Sequence, residues 1–317
     1  MDDINDVYSQ DQLDFSGARA KAFLRSVLGV ISGHRHRMLA WDDVKDKLRL
    51  GGMVYRGMQV VPIENIVGSV GRYKDFDDAF LPTTNTLSMR WRKVNRAFYD
   101  DVSLPPIQLY KVGDAYFVLD GNHRVSVARE HGTAFIDAEV TEAISRVPTT
   151  AEDLNADMLS ILGEYADFLE RTHLDKLCVD QNIRFSIGGA YARLIEHIAV
   201  HRYFMGLDLQ RDITEDESVT DWFDNVYMPI IHAIRDENIL KDFSGRTEAD
   251  LYLWIIDHKH FLHESSGEDI SPEDAAAHYA ENYAPRAPLK RMQDAVEALV
   301  HTLKDRAQPD TTDEPTD

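Results

Sequence analysis

The segment Tyr116-Phe117-Val118-Leu119-Asp120-Gly121-Asn122-His123-Arg124-Val125-Ser126-Val127-Ala128-Arg129 carries the most chemistry in this chain. An apolar run with strand character ends at a glycine turn, and a helical pattern starts at once. Backbone N–H groups at such a helix start point outward and attract anions, and His123 and Arg124 add donors at the same place. The spacing therefore predicts a phosphate-sized anion site. The competing reading of the same residues is a tight turn with Arg124 in a surface salt bridge.

A second candidate element precedes it. Val70-Gly71-Arg72-Tyr73-Lys74 and Arg90-Trp91-Arg92-Lys93, with Arg96, are basic and aromatic. Folded over a nucleotide, Arg72 or Arg92 would reach phosphate and Tyr73 or Trp91 would stack on a base; the alternative is ordinary packing of the aromatics. A third grouping lies further on. His197 and His201 are four residues apart beside Glu196, a spacing that puts two imidazoles on one helix face, where a transition metal needs them. Two ligands make no site, and His258, His260 and His263 are the candidates for a third; polar helix ends and hydrogen-bonded core histidines explain the same pattern.

These residues must be held by two different kinds of structure. Residues 53–146 have a strand-and-turn texture. Gln59–Ile63 and Pro105–Val112 read as strands, Gly113-Asp114 as a hairpin turn, Ala115–Leu119 as its partner and Ala134–Val140 as a last strand, with helices around Met89–Tyr99 and Arg124–His131. Before them, residues 1–15 read as a loose acidic arm, Ser16 as the cap of a helix through Ile31, and Asp42 as the cap of a short helix to Leu48. After Pro148 the strand signals stop. Helical patterns follow at about 153–172, 186–206, 218–238, 246–263, 271–281 and 288–305, with Thr247 capping an all-apolar run, Leu251–Ile256, expected in the middle of a bundle. The expected organisation is a helical arm (1–52), a small mixed α/β module (53–146), a larger all-α domain (147–306) and a disordered acidic tail (307–317): an α+β fold class.

Charge follows that division. The chain of 317 residues has a formal charge of −21, but residues 1–146 contribute only −1 and residues 147–317 contribute −20. The second part repels phosphate backbones, which argues against DNA as a partner and places any polyanion or nucleotide site before residue 147. A single cysteine, Cys178, excludes a disulfide framework and a multi-thiolate zinc site. The acidic start is no secretory signal and no apolar run is long enough to span a bilayer, so a cytoplasmic location is expected.

The box Leu119-Asp120-Gly121-Asn122-His123-Arg124 followed by Ala128 resembles the glycine-x-x-arginine box of the ParB/sulfiredoxin-like superfamily, and Val61-Pro62-Ile63-Glu64-Asn65-Ile66 resembles that domain's opening strand. The resemblance covers about residues 57–142. It implies a nucleotide ligand (CTP, ATP or ADP) whose phosphates are cradled by Gly121, Asn122, His123 and Arg124, with Asp120 on Mg²⁺. The reading that follows is a nucleotide-binding, ParB-like regulatory protein. An alternative, resembling the free-serine kinase branch, uses Glu64 as the base and Asp120 at the metal. A partition-type DNA regulator is the third, disfavoured by the acidic second half. Sulfiredoxin activity is excluded because Asn122 stands where that branch has its cysteine. Residues 221–229 and 243–251 resemble an uncharacterised bacterial helical domain, which implies architecture but no chemistry; a protein partner for the helical domain is a separate expectation of the regulatory reading.

Overall fold

In the computed structural model, residues 2–32, 37–100, 102–155, 157–178, 181–266 and 270–283 are described (backbone alone for 2–10, 30–32, 260 and 262–266). The chain divides into two units, Met1–Asp175 and Lys176–Asp317. The charge step at residue 147 and this division do not coincide.

The first unit begins with a long helix, α1 (Asp2–Ser32), where a loose arm and then a Ser16 cap were expected. Its acidic residues are not idle charge. Asp11 is buried and accepts from Asn95 (2.9 Å) and Arg96 (3.1 Å), and Asp14 accepts from Asn95 (3.1 Å) and Tyr99 (2.9 Å). Those tertiary partners fasten an arm whose local sequence reads as loose, while the Ser16 hydroxyl donates to Leu13 O within the helix. A two-residue strand, β1 (Leu39–Ala40), leads into α2 (Trp41–Lys47).

The strands are β2 (Met53–Pro62), β3 (Ile66–Ser69), β4 (Ile107–Val112), β5 (Ala115–Asp120) and β6 (Phe135–Ala143), with α3 (Ser88–Tyr99) before β4 and α4 (Asn122–Glu130) after β5. Together with β1 they form one sheet of order β1-β3-β5-β4-β6-β2. It is mixed: β1/β3, β3/β5 and β4/β6 are parallel, and β4/β5 and β2/β6 antiparallel. The Gly113-Asp114 turn closes the β4–β5 hairpin, with Val112 opposite Ala115, as the sequence predicts. Alternating burial along β4 and β6 sets one face on a core that includes Ile66, Phe76, Phe80, Val118 and Val140. Trp91 of α3 is fully buried between Phe15 of α1 (ring centroids 5.6 Å apart) and Val127 of α4, and its indole N–H donates to Ser126 (2.9 Å). This packing locks α3 to α4. A further helix, α5 (Met158–Thr172), packs on α2 within the same unit.

A short α6 (Leu174–Leu177) crosses the division. The second unit is helical: α7 (Ala190–Leu209), α8 (Glu215–Trp222), α9 (Met228–Asp236), α10 (Glu248–Ser266) and α11 (Pro272–Tyr283). A π turn, Phe223–Tyr227, joins α8 to α9, so the single helix expected over 218–238 is interrupted. Pro229 in the first turn of α9 has no N–H to give the preceding turn, which favours the wider winding there. Thr247 caps α10 as predicted: its Oγ1 accepts from Asp250 N (3.1 Å) while the Asp250 carboxylate accepts from Thr247 N (2.9 Å). Leu251, Tyr252, Leu253 and Ile255 are buried, as an all-apolar central helix requires. The predicted helix 288–305 and tail 307–317 lie outside the described residues. No described helix is long and apolar enough to cross a membrane.

Candidate functional site

The sequence from β5 into α4 makes the turn that the chemistry needs. Gly121 has φ +113°, and a Cβ there would sit 2.4 Å from Ile107 Cγ2, so only glycine lets the strand end this close to β4. Its carbonyl accepts from Arg124 N (2.8 Å) and Val125 N (3.0 Å), which starts α4 immediately. No side chain caps this N-terminus, so the first-turn amides keep their capacity for an acceptor.

Around that N-terminus lies a cleft of about 540 Å³. Asp120, Gly121, Asn122, His123 and Arg124 form one wall, Arg72 another, and Arg90, Lys93, Val94 and Ala97 of α3 the third. Arg72 is held by Asp75 (2.8 Å), whereas Arg90 and Lys93 have no ion pair among the described residues. Asn122 and His123 are buried, and Asn122 Oδ1 and His123 Nδ1 have no hydrogen-bond partner among the described residues. The His123 ring meets Phe76 edge-on at 5.3 Å. Burial, then the positive charges of Arg90 and Arg72, push its pKa down to about 4, against an opposing pull from Asp75. His123 is therefore a neutral ring at neutral pH, chiefly because it is buried.

Arg124 behaves differently from its neighbours. Its guanidinium donates to the Asp120 carboxylate (2.5 Å), to Pro106 O (2.9 Å) and to Pro105 O. The surface salt bridge weighed as the alternative for Arg124 is present, and it stands inside the cleft rather than in place of it.

Of the residues singled out from sequence, the structure brings Arg72, Asp120, Gly121, Asn122, His123 and Arg124 together and leaves Glu64 apart. Glu64 is exposed in a short 3₁₀ turn, Ile63–Asn65, before β3. That turn is held by Arg129 at the far end of α4, through the Ile63 carbonyl (3.0 Å). The nine residues of α4 separate it from the Gly121 turn by about 13 Å of helix. Trp91 cannot stack on a ligand because it is fully buried, Tyr73 packs against the sheet core, and Arg92 does not line the cleft. Arg90 and Lys93 of the same helix line the cleft instead. The signal for them was the helical stripe Arg90, Lys93, Val94, Ala97, one face over from buried Trp91 and Asn95.

In the second unit the histidines are spoken for. His197 Nδ1 pairs with the Tyr252 hydroxyl (3.3 Å), His201 Nε2 with Asp221 (2.7 Å) and His258 Nε2 with His278 Nδ1 (2.7 Å). Among the described residues no group of three or more His, Cys, Asp or Glu side chains is placed to hold a metal ion. The side chains of His260 and His263 lie outside the described residues.

A family model described as a domain of unknown function (DUF4032) matches residues 189–284, within the second unit. No curated protein matches the chain. Among solved structures, a "Pnob8-like ParB-N domain" is similar at 13% identity over 77% of this chain and 98% of that one, with a TM-score of 0.19.

Proposed function

We propose that the first unit binds a nucleoside di- or triphosphate, phosphates against the first turn of α4 and against Arg72, Arg90 and Lys93. The observation that carries this reading is the placement of two unpaired cations, Arg90 and Lys93, opposite an uncapped helix N-terminus. Both are anion-binding devices, and they converge on one cleft of ligand size. The resemblance of the Asp120–Arg124 box to the ParB/sulfiredoxin-like superfamily supports the same ligand. A regulatory role, in which the bound state is read by a partner of the helical unit, is part of this proposal.

Mg²⁺ fits only as a companion of the ligand. Among the described residues Asp120 is the sole carboxylate lining the cleft, and it already accepts from Arg124, so most of the ion's oxygen shell would come from phosphate and water. The kinase reading with Glu64 as base loses support, because a base must stand within hydrogen-bond reach of the hydroxyl it deprotonates.

The test is calorimetric titration of the full chain with CTP, ATP, ADP and GTP, with and without Mg²⁺. At least one should bind, and Arg90→Ala/Lys93→Ala should weaken it about tenfold or more through loss of charge-assisted hydrogen bonds. Absence of binding by all four at about 1 mM, or undiminished binding by the double variant, overturns the proposal.

A further inference from the structure

The second unit contains a cleft of about 690 Å³, within the ordinary range of small-molecule sites, about 300–1,000 Å³. It is lined by α7, α8, the π turn and α10. Val200, Phe204, Trp222, Val226 and Ile256 make its walls apolar. Trp222 is the last residue of α8 and Val226 belongs to the π turn, so the irregular winding that Pro229 favours also shapes this wall. Such π segments recur at functional sites.

One polar chain crosses this apolar surface. The buried Trp222 indole can only donate, and it donates to the Tyr252 hydroxyl (3.2 Å). The buried Tyr252 hydroxyl has a proton of its own to place, and His197 Nδ1, 3.3 Å away, is the acceptor that the described residues offer it. Burial and nearby Arg193 lower the pKa of His197, so the ring is neutral, and with Nδ1 accepting it carries its proton on Nε2. The carboxylates nearby are occupied: Asp221 by His201, and Asp257 by Arg193 through both oxygens (2.6 and 2.7 Å). Lys259 is a further cationic group of the lining. The cleft thus offers an incoming molecule apolar walls and hydrogen-bond donors.

From this pairing we infer that the second unit binds a small monocarboxylate with an apolar body, its head group accepting from His197 Nε2–H. The inference is independent of the nucleotide reading, which concerns the first unit alone.

Decanoate is the probe, titrated into the full chain by calorimetry and by displacement of 8-anilinonaphthalene-1-sulfonate. Saturable binding of one decanoate per chain is expected, weakened about tenfold in His197→Phe, which keeps a ring and removes the donor. Val226→Trp, which fills the cleft, should abolish it. Because either variant may disturb α7 or the π turn, the wild-type protein supplies the decisive arm: decanoate should bind at least about tenfold tighter than its methyl ester, which keeps the chain and removes the charge. No saturable binding below about 1 mM overturns the inference. So does binding of many molecules per chain, equal affinity for the ester, or full affinity in cooperatively melting His197→Phe and Val226→Trp proteins.

Discussion

Two clefts of comparable volume, one in each unit, are built on opposite chemical plans. The cleft at α4 sets Arg72, Arg90 and Lys93 and an uncapped helix end among apolar residues such as Val94, Leu104 and Leu119. The cleft between α7 and α10 has aromatic and aliphatic walls and a single directed donor, inside a region of high negative charge. Net charge therefore misleads in both places: the near-neutral unit concentrates its cations, and the strongly acidic unit pairs Asp257 at its cavity with Arg193 and hydrogen-bonds Asp221 to His201. Local pairing, at distances well inside a Debye length of about 8–10 Å, decides what each site attracts.

The largest effects should show whether the units are separate in energy as well as in plan. Trp91→Ala and Trp222→Ala each remove a fully buried indole and its hydrogen bond, at a cost of about 3–5 kcal/mol. Urea unfolding should show each variant weakening its own unit, with nucleotide binding kept in Trp222→Ala. One shared transition displaced equally by both would dissolve the distinction.

Next come two glycines at helix starts. Gly121→Ala combines a left-handed backbone with a clash on Ile107, about 2–4 kcal/mol. Gly189→Ala before α7 has φ +80° but nothing within 4 Å, and should cost only about 1–2 kcal/mol. Chemical denaturation of the pair measures the difference, and equal costs would mean that the close approach at β4 contributes nothing.

Acid should act through His123. The unfolded chain protonates this imidazole below about pH 6.5 and the folded unit only below about 4, so its contribution is complete above 6.5 and is lost as pH falls towards 4. The loss is about 2–3 kcal/mol at most. His123→Gln should flatten that limb in melts of the first unit; an unchanged slope would show the ring to be protonated in place.

The smallest effect belongs to the exposed Arg193–Asp257 pair. Arg193→Ala should change stability by less than about 1 kcal/mol, readable as a small shift in unfolding midpoint. A larger loss would give this rim pair a structural role.

Where sequence was legible, local rules and tertiary packing agreed. The Gly113-Asp114 hairpin, the Gly121 turn, the Thr247 cap and the buried Leu251–Ile255 run each follow from a few adjacent residues. Where it was not, the deciding partner was distant in the chain. Asp11 and Asp14 look like an acidic arm until Asn95, Arg96 and Tyr99 are placed beside them. The kinase-branch resemblance sets Glu64 beside the box, yet the parallel run of β3 beside β5 puts it at the opposite end of the sheet from Gly121. Trp91 and Arg90 are neighbours in sequence, but one helical step sends the first into the core and the second into the cleft.

The contact between Arg124 and Asp120 has a consequence for selectivity. An anion that reaches this guanidinium competes with a carboxylate of the same chain, held four residues away on the same turn. Binding there is an exchange, and a lone chloride or acetate gains little from it. An acceptor with several oxygens can engage the freed guanidinium and the helix amides together. Under the proposed reading, the turn would favour an acceptor with several oxygens over a single-point anion.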